Sequence, residues 1–166
     1  MKLRHLEQKD APFMLEWMHD DNVTEFLGAN FAEKNLDDCN AFIDASNDEA
    51  QDDLHLAIVN NRDEYMGTVS LKHIDRINST AEFAISVRSK AMGKGYSGKA
   101  MEDIIKLGHG ALGLDKIYWC VSEDNKRAIR FYDKNNYHRS KEIPEHILNY
   151  YSEKQLEKFI WYVDQM

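Results

Sequence analysis

The stretch MGKGYSGKA, residues 92–100, admits two readings, and the choice between them decides the fold. From Gly93 it spells G-x-x-x-x-G-K, the opening of a nucleoside-triphosphate loop. Ala100 then stands where that loop places a magnesium-binding Ser or Thr. From Met92 it is a looser glycine turn that opens a helix. Glycines let the main chain approach an anion closely, and consecutive N–H groups at the helix start can hold it without a metal.

The flanks favour the second reading. Upstream, AEFAISV puts Ala81, Phe83, Ile85 and Val87 on one face of a strand and Glu82, Ala84 and Ser86 on the other. Downstream, Met101, Ile104 and Ile105 mark an amphipathic helix from about Ser97 to Leu112. The partners of a triphosphate site are missing. After IYWCV, Ser122 and Glu123 intervene before Asp124, and NKRA at Asn125 lacks the Asp that reads guanine. GHGALG, residues 108–113, is formally G-x-G-x-x-G, but a dinucleotide fingerprint follows a strand and this one follows a helix. Its glycines suit a thinned helix end and a terminating turn.

Outward from this centre, the periods alternate between strand and helix. MKLRHLE reads as a first strand, and Phe13, Met14, Trp17 and Met18, continuing to Phe26 and Leu27, as a helix opened by Pro12. Asn35 to Asn47 forms a more polar helix. Leu54 to Val59 and Tyr65 to Leu71 alternate around the turn Asn60 to Glu64, as an antiparallel hairpin does. Ile117, Trp119 and Val121 make another strand, and Asn125 to Lys134 a short helix ending near Asn136. Strands near Tyr137 to Ile143 and Phe159 to Asp164 follow, with a helix or ordered loop over Pro144 to Gln155. The class is α/β: a mixed, mostly antiparallel twisted sheet of six to seven strands flanked by helices, in one domain over residues 1–166.

The 166 residues, 43% apolar and 30% charged, fit an ordinary soluble domain. No apolar run reaches the roughly 20 residues of a membrane helix, so no membrane partner is expected. Acidic residues outnumber basic ones 29 to 21, which disfavours nucleic acid and mildly favours an amine ligand. Cys39 and Cys120 read as free thiols in a reducing cytoplasm. The histidines (His5, His19, His55, His73, His109, His138 and His146) form no HxxxH or HExxH pair, so no metal is expected.

Strand, glycine turn, helix, strand and then NKRAIRFYDKNNY resemble the GNAT N-acetyltransferases. AEFAISV matches the family's cofactor-binding strand and MGKGYS its Q/R-x-x-G-x-G/A turn. Asn125, Ala128, Tyr132 and Lys134 keep the spacing of N-x-x-[AS]-x-x-x-Y-x-K-x-G-F. Met92 departs from Gln or Arg, Ser97 from the second small residue, and Asn136-Tyr137 from Gly-Phe. The first two substitutions leave main-chain contacts intact.

The resemblance implies the GNAT fold and acetyl-CoA as cosubstrate. Its cofactor contacts would be Val87, Met92, Gly93, Lys94, Gly95, Tyr96, Ser97, Gly98, Asn125, Tyr132 and Lys134. Tyr132 would be the general acid for the departing thiolate, and Glu82 the base for the acceptor ammonium. A main-chain N–H near Val87 would polarise the thioester carbonyl. EWMHD, residues 16–20, resembles the acceptor-side helix of ribosomal-protein, polyamine and amino-sugar acetyltransferases without separating them. The expected acceptor is the primary amine of a small molecule, a polyamine or an amino sugar, nucleotide-linked or free. The alternatives are a protein N-terminus or a non-catalytic acetyl-CoA sensor. The resemblance also allows a homodimer. His146 reads as an exposed loop residue and Cys120 as a core residue.

Overall fold

The computed structural model describes residues 1–27 and 29–166. In chain order the described residues form β1 (Lys2–His5), α1 (Ala11–Met18), α2 (Asp21–Thr24), α3 (Leu36–Ser46), β2 (Leu54–Val59), β3 (Tyr65–Asp75) and β4 (Thr80–Val87). There follow α4 (Tyr96–His109), β5 (Lys116–Ser122), α5 (Lys126–Lys134), β6 (His138–Arg139), α6 (Glu145–Leu148), α7 (Glu153–Leu156) and β7 (Phe159–Gln165). They build one seven-stranded sheet in the order β1-β2-β3-β4-β5-β7-β6. Every neighbouring pair is antiparallel except β4 and β5.

Strand alternation divides the core between the two faces. On one face Val69, Leu71, Ala81, Phe83, Ile117 and Trp119 pack against Met101, Ile104 and Ile105 of α4, and α5 joins them through Ala128 and Tyr132. On the other face, Leu6, Met14, Trp17, Cys39 and Ile43 place α1 and α3 over Ala57, Val59 and Tyr65. Farther along that second face, Ile147 of α6 and Leu156 of α7 cover Tyr118 and Trp161. Glu82, Ala84 and Ser86 of β4 lie between these two coverings.

Several boundaries differ from the sequence expectation, each for a local reason. The first helix stops at Met18, because the Asp20 side chain accepts from Asn22 N–H (3.0 Å) and starts a separate turn. Phe26 and Leu27 therefore lie beyond α2 rather than on one continuous helix. Asn35 and Asp38 cap α3 reciprocally, each side chain accepting the other's N–H at 2.9 Å. Helix α4 ends at His109 rather than Leu112, with Gly110 as its cap. Within it, Gly108 is required by packing: a Cβ there would lie 2.8 Å from Ile117 Cδ1 and 3.0 Å from Leu71 Cδ1. Asn136, at φ +63°, is the left-handed residue after α5. The strand expected over 137–143 shrinks to two residues, and 144–155 holds two single-turn helices.

Strand β3 runs past Leu71 to Asp75 through a bulge. Its register with β4 shifts between Lys72 and Asp75, where His73 takes φ +53°. For a residue with a Cβ that conformation costs about 1–2 kcal/mol.

Candidate active site

Strands β4 and β5 pair only at Thr80↔Lys116, Ala81↔Ile117 and Glu82↔Tyr118. Beyond that point they part, although β4 continues to Val87 and β5 to Ser122. Arg88 N–H donates to Met66 O of β3 at 2.8 Å. Because successive residues of a strand point their N–H groups to opposite edges, those of Phe83, Ile85 and Val87 face the open side. The splay thus offers an unpaired strand edge, with Val87 N–H among its donors.

At the top of the splay lies the glycine turn. Gly93 (φ +74°) and Gly95 (φ +85°) adopt left-handed backbone that L side chains rarely take, and Gly95 caps α4. The first helical bond of α4 is Lys99 N–H to Gly95 O (3.2 Å), so Tyr96, Ser97 and Gly98 keep their N–H groups free of helical partners. Gly98 lies close under α5, since a Cβ there would be 3.2 Å from Phe131 Cζ. Arg127 of α5 brings a guanidinium to 3.6 Å from where a Gly93 Cβ would stand. A depression of about 440 Å³ beside the turn is lined by Lys94, Tyr96 and Lys99 together with Arg62. Free amides, left-handed glycines and surrounding cations make an anion cradle that uses no metal. Lys99 itself pairs along the helix with Asp103 (2.7 Å) instead of reaching over the turn.

Tyr132 sits on α5 among rings, with its centroid 5.6 Å from that of Trp119 and 5.0 Å from that of Tyr162. Burial, and then the nearby Cys120, push its phenol above the usual range. Tyr132 therefore stays in its protonated, donating form through neutral and alkaline pH. The buried Trp119 Nε1 has no hydrogen-bond partner among the described residues. Trp119 lies one residue past the last β4–β5 pair, so this donor belongs to the region where the strands part. Asn125 spends its carbonyl on capping α5, accepting from Ala128 N–H at 3.2 Å. Lys134 is exposed in the last turn of α5, where its charge complements the helix dipole.

Glu82 occupies the opposite face of the sheet and is 1% exposed. Its Oε1 lies 2.9 Å from His73 Nδ1, and its Oε2 accepts from the Tyr151 hydroxyl. Cys120 Sγ stands 4.0 Å from Oε2. Burial, reinforced by Glu82, pushes the Cys120 thiol up to about 12. It is a neutral thiol at pH 7 and a poor nucleophile. Cys120 thus faces Glu82 and the α6–α7 side, whereas the core between the sheet and α4 is built from its neighbours Trp119 and Val121. His146 is likewise no exposed loop residue: it lies on α6, with Nε2 3.4 Å from Thr80 Oγ1.

Sequence reading located the turn, Tyr132 and Glu82, but missed Arg127, His73 and Tyr151. Arg127 follows Asn125 closely enough to have been suspected. His73 and Tyr151 reach Glu82 through a bulge and an irregular segment, neither of which has a periodic signature.

A second clamp joins α1 to the start of the turn. The buried Arg88 donates to both carboxylate oxygens of Glu16 at 2.9 Å, to Glu64 at 3.0 Å and to Tyr65 O at 2.9 Å. Phe13 lies 4.5 Å beneath its guanidinium. EWMHD is thereby tied to the residue that follows β4, and Asp20 accepts from Ser89 beside it. Among the described residues no group of His, Cys, Asp and Glu is arranged to hold a metal ion. No described helix is long and apolar enough to cross a membrane.

Comparison with known proteins gives three findings. The profile of the Acetyltransferase (GNAT) domain matches residues 1–138. An uncharacterized N-acetyltransferase, p20, of Bacillus licheniformis is 28% identical over 134 residues, 78% of this chain and 74% of that protein. The spermidine N(1)-acetyltransferase of Escherichia coli K12 is 34% identical over 71 residues, 43% of this chain and 38% of that enzyme. Among solved structures, the Vibrio cholerae spermidine N-acetyltransferase in complex with CoA and spermine has a TM-score of 0.80 at 19% identity. That superposition covers 99% of this chain and 94% of the other.

Proposed function

The chain belongs to the GNAT acetyltransferase family, and from that premise we propose that it transfers the acetyl group of acetyl-CoA to a primary amine of a small molecule, a polyamine foremost. The observation that carries this is the parting of β4 from β5 after Glu82 and Tyr118, directly below a metal-free anion cradle. Acetyl-CoA fits that pairing of features: a pyrophosphate for the cradle and an amide-bearing arm for an unpaired strand edge. The orphaned Trp119 Nε1 adds a donor at the same place.

Acetyl-CoA supplies the thioester whose acyl carbon the amine attacks. The free N–H groups of Tyr96, Ser97 and Gly98 hold the phosphates, with Met92, Gly93, Lys94 and Gly95 shaping the turn and Arg127 adding charge. Val87 N–H polarises the thioester carbonyl, as an oxyanion donor does. Tyr132, kept neutral by burial, protonates the departing thiolate. Asn125 and Lys134 line the approach along α5. Glu82 receives the proton that the acceptor ammonium loses.

Support for a small acceptor comes from α6 and α7. They pack on Tyr118 and Trp161, and Tyr151 between them reaches Glu82, which narrows the space a protein N-terminus would need. The polyamine preference rests on the named relatives and on the net charge of −8. The test is release of free thiol from acetyl-CoA across spermidine, spermine, amino sugars, aminoglycosides and N-terminal peptides. Turnover is expected with polyamines. Preference for a peptide would reject the small-acceptor proposal, and tight acetyl-CoA binding with no turnover on any amine would make the protein a sensor.

A further inference from the structure

The bulge in β3 serves neither cofactor binding nor thiolate protonation. Lys72 pairs with Glu82, so regular alternation would send the next residue, His73, toward α4. Instead Ile74 packs into the α4 core, and His73, at φ +53°, swings to the other face and meets Glu82. Bulges beside active sites re-aim side chains in this way, and left-handed residues with a Cβ persist where their surroundings impose them. Here the surroundings are specific. His73 N–H donates to Asp53 at 2.8 Å, and its ring lies flat on Tyr150, with centroids 3.5 Å apart and planes 8° apart. Its Nε2 has no partner among the described residues.

Glu82 is enclosed, with both oxygens engaged and a side chain only 2% exposed, whereas the side chain of His73 keeps 13%. A carboxylate in that position can receive a proton but has no direct contact through which to shed it. We propose that His73 takes the acceptor's proton over from Glu82 and releases it to solvent, so that the two act as a proton-exit pair. The inference rests on the acetyl-transfer function proposed above. The ammonium N–H bond breaks and an O–H bond forms at Glu82 Oε1. That proton passes to Nδ1 of a neutral His73, and the Nε2–H proton leaves to water, so the imidazole ends neutral. His73 acts through Glu82 and does not touch the acceptor. The other charged or titratable groups facing the pair are Lys72 and Asp75 on β3, Asp53 before β2, Cys120 on β5, His146 on α6, and Tyr150 and Tyr151.

Two measurements on the full chain test this. The first needs no turnover. In an NMR titration, Glu82→Gln should lower the His73 imidazole pKa by about one unit or more, because an adjacent carboxylate favours the imidazolium. An unchanged titration overturns the coupling.

The second uses the best amine found and the variant His73→Asn, since Asn tolerates left-handed backbone. Near neutral pH its kcat should fall roughly 10²-fold, with Tm and acetyl-CoA affinity retained. The loss should shrink at about pH 9–10, where more of the amine arrives unprotonated. Added imidazole should restore part of the rate in His73→Ala but none in Glu82→Gln. An equal fractional loss at every pH, without imidazole rescue, would make His73 a packing residue and overturn the proposal. Absence of turnover with every amine in the wild type, beside an intact NMR coupling, would instead reject the acetyl-transfer function and the exit role that depends on it.

Discussion

Tyr132 and Cys120 are both hydrogen-bearing groups raised by burial, yet they predict opposite outcomes on mutation. Tyr132→Phe keeps the ring and removes the acid, so turnover should fall by roughly 10²–10⁴ while acetyl-CoA affinity holds. Because burial raises the phenol and favours its neutral form, the wild-type pH–rate profile should show no alkaline fall from Tyr132 below about pH 10. Cys120→Ala should leave turnover within a few-fold, since a thiol held near 12 takes no part in direct attack. A covalent acetyl-cysteine detected by mass spectrometry would contradict that. At Gly95, φ +85° makes valine strained by about 1–2 kcal/mol and crowds the cradle. Gly95→Val should therefore lose acetyl-CoA binding steeply by calorimetry, with folding retained. Lys99→Ala should lose little, because that ammonium is already paired with Asp103.

At the scale of elements, the contact between β3 and β4 governs where Val87 sits. A Cβ on Gly67 would come within 2.4 Å of Ser86 O and 2.9 Å of Val87 Cα, both main-chain atoms that cannot swing aside. Gly67→Ala should then part the strands at Val87 and cost about 1–3 kcal/mol by thermal unfolding, together with much of the activity. That glycine carried no sequence signal, because its close neighbour is twenty residues away on another strand. The alternation of AEFAISV, by contrast, was legible outright and assigned Phe83 and Glu82 to opposite faces correctly. The glycine turn and α5 were legible for the same reason: each is a local pattern with a local cause. The break between α1 and α2, the bulge at His73 and the short turns of α6 and α7 were not. They depend on single side-chain caps or on partners far along the chain.

For the molecule as a whole, the ligand that fits the cradle should be the one that stabilises the fold. Acetyl-CoA should raise Tm through mass action on the native state, whereas ATP with Mg²⁺ should do so far less. Greater stabilisation by ATP·Mg²⁺ would restore the triphosphate reading of residues 92–100. The Arg88 clamp makes the acceptor-side helix and the cofactor turn one mechanical unit. Removing it in Arg88→Met should cost roughly 2–3 kcal/mol, given charge-assisted bonds to Glu16 and Glu64. It should also weaken acetyl-CoA and amine binding together in a calorimetric comparison.

The short seam between β4 and β5 has a consequence for isotope labelling. Only Thr80 to Glu82 join the two halves of the sheet there, so the amides of Phe83, Ile85 and Val87 lie in mid-sheet without a ladder partner. In deuterated buffer these amides should exchange far faster than those of Ala84 and Ser86, which alternate with them and face β3. A bound coenzyme arm should erase that odd–even pattern, leaving a footprint one residue in two along a single strand.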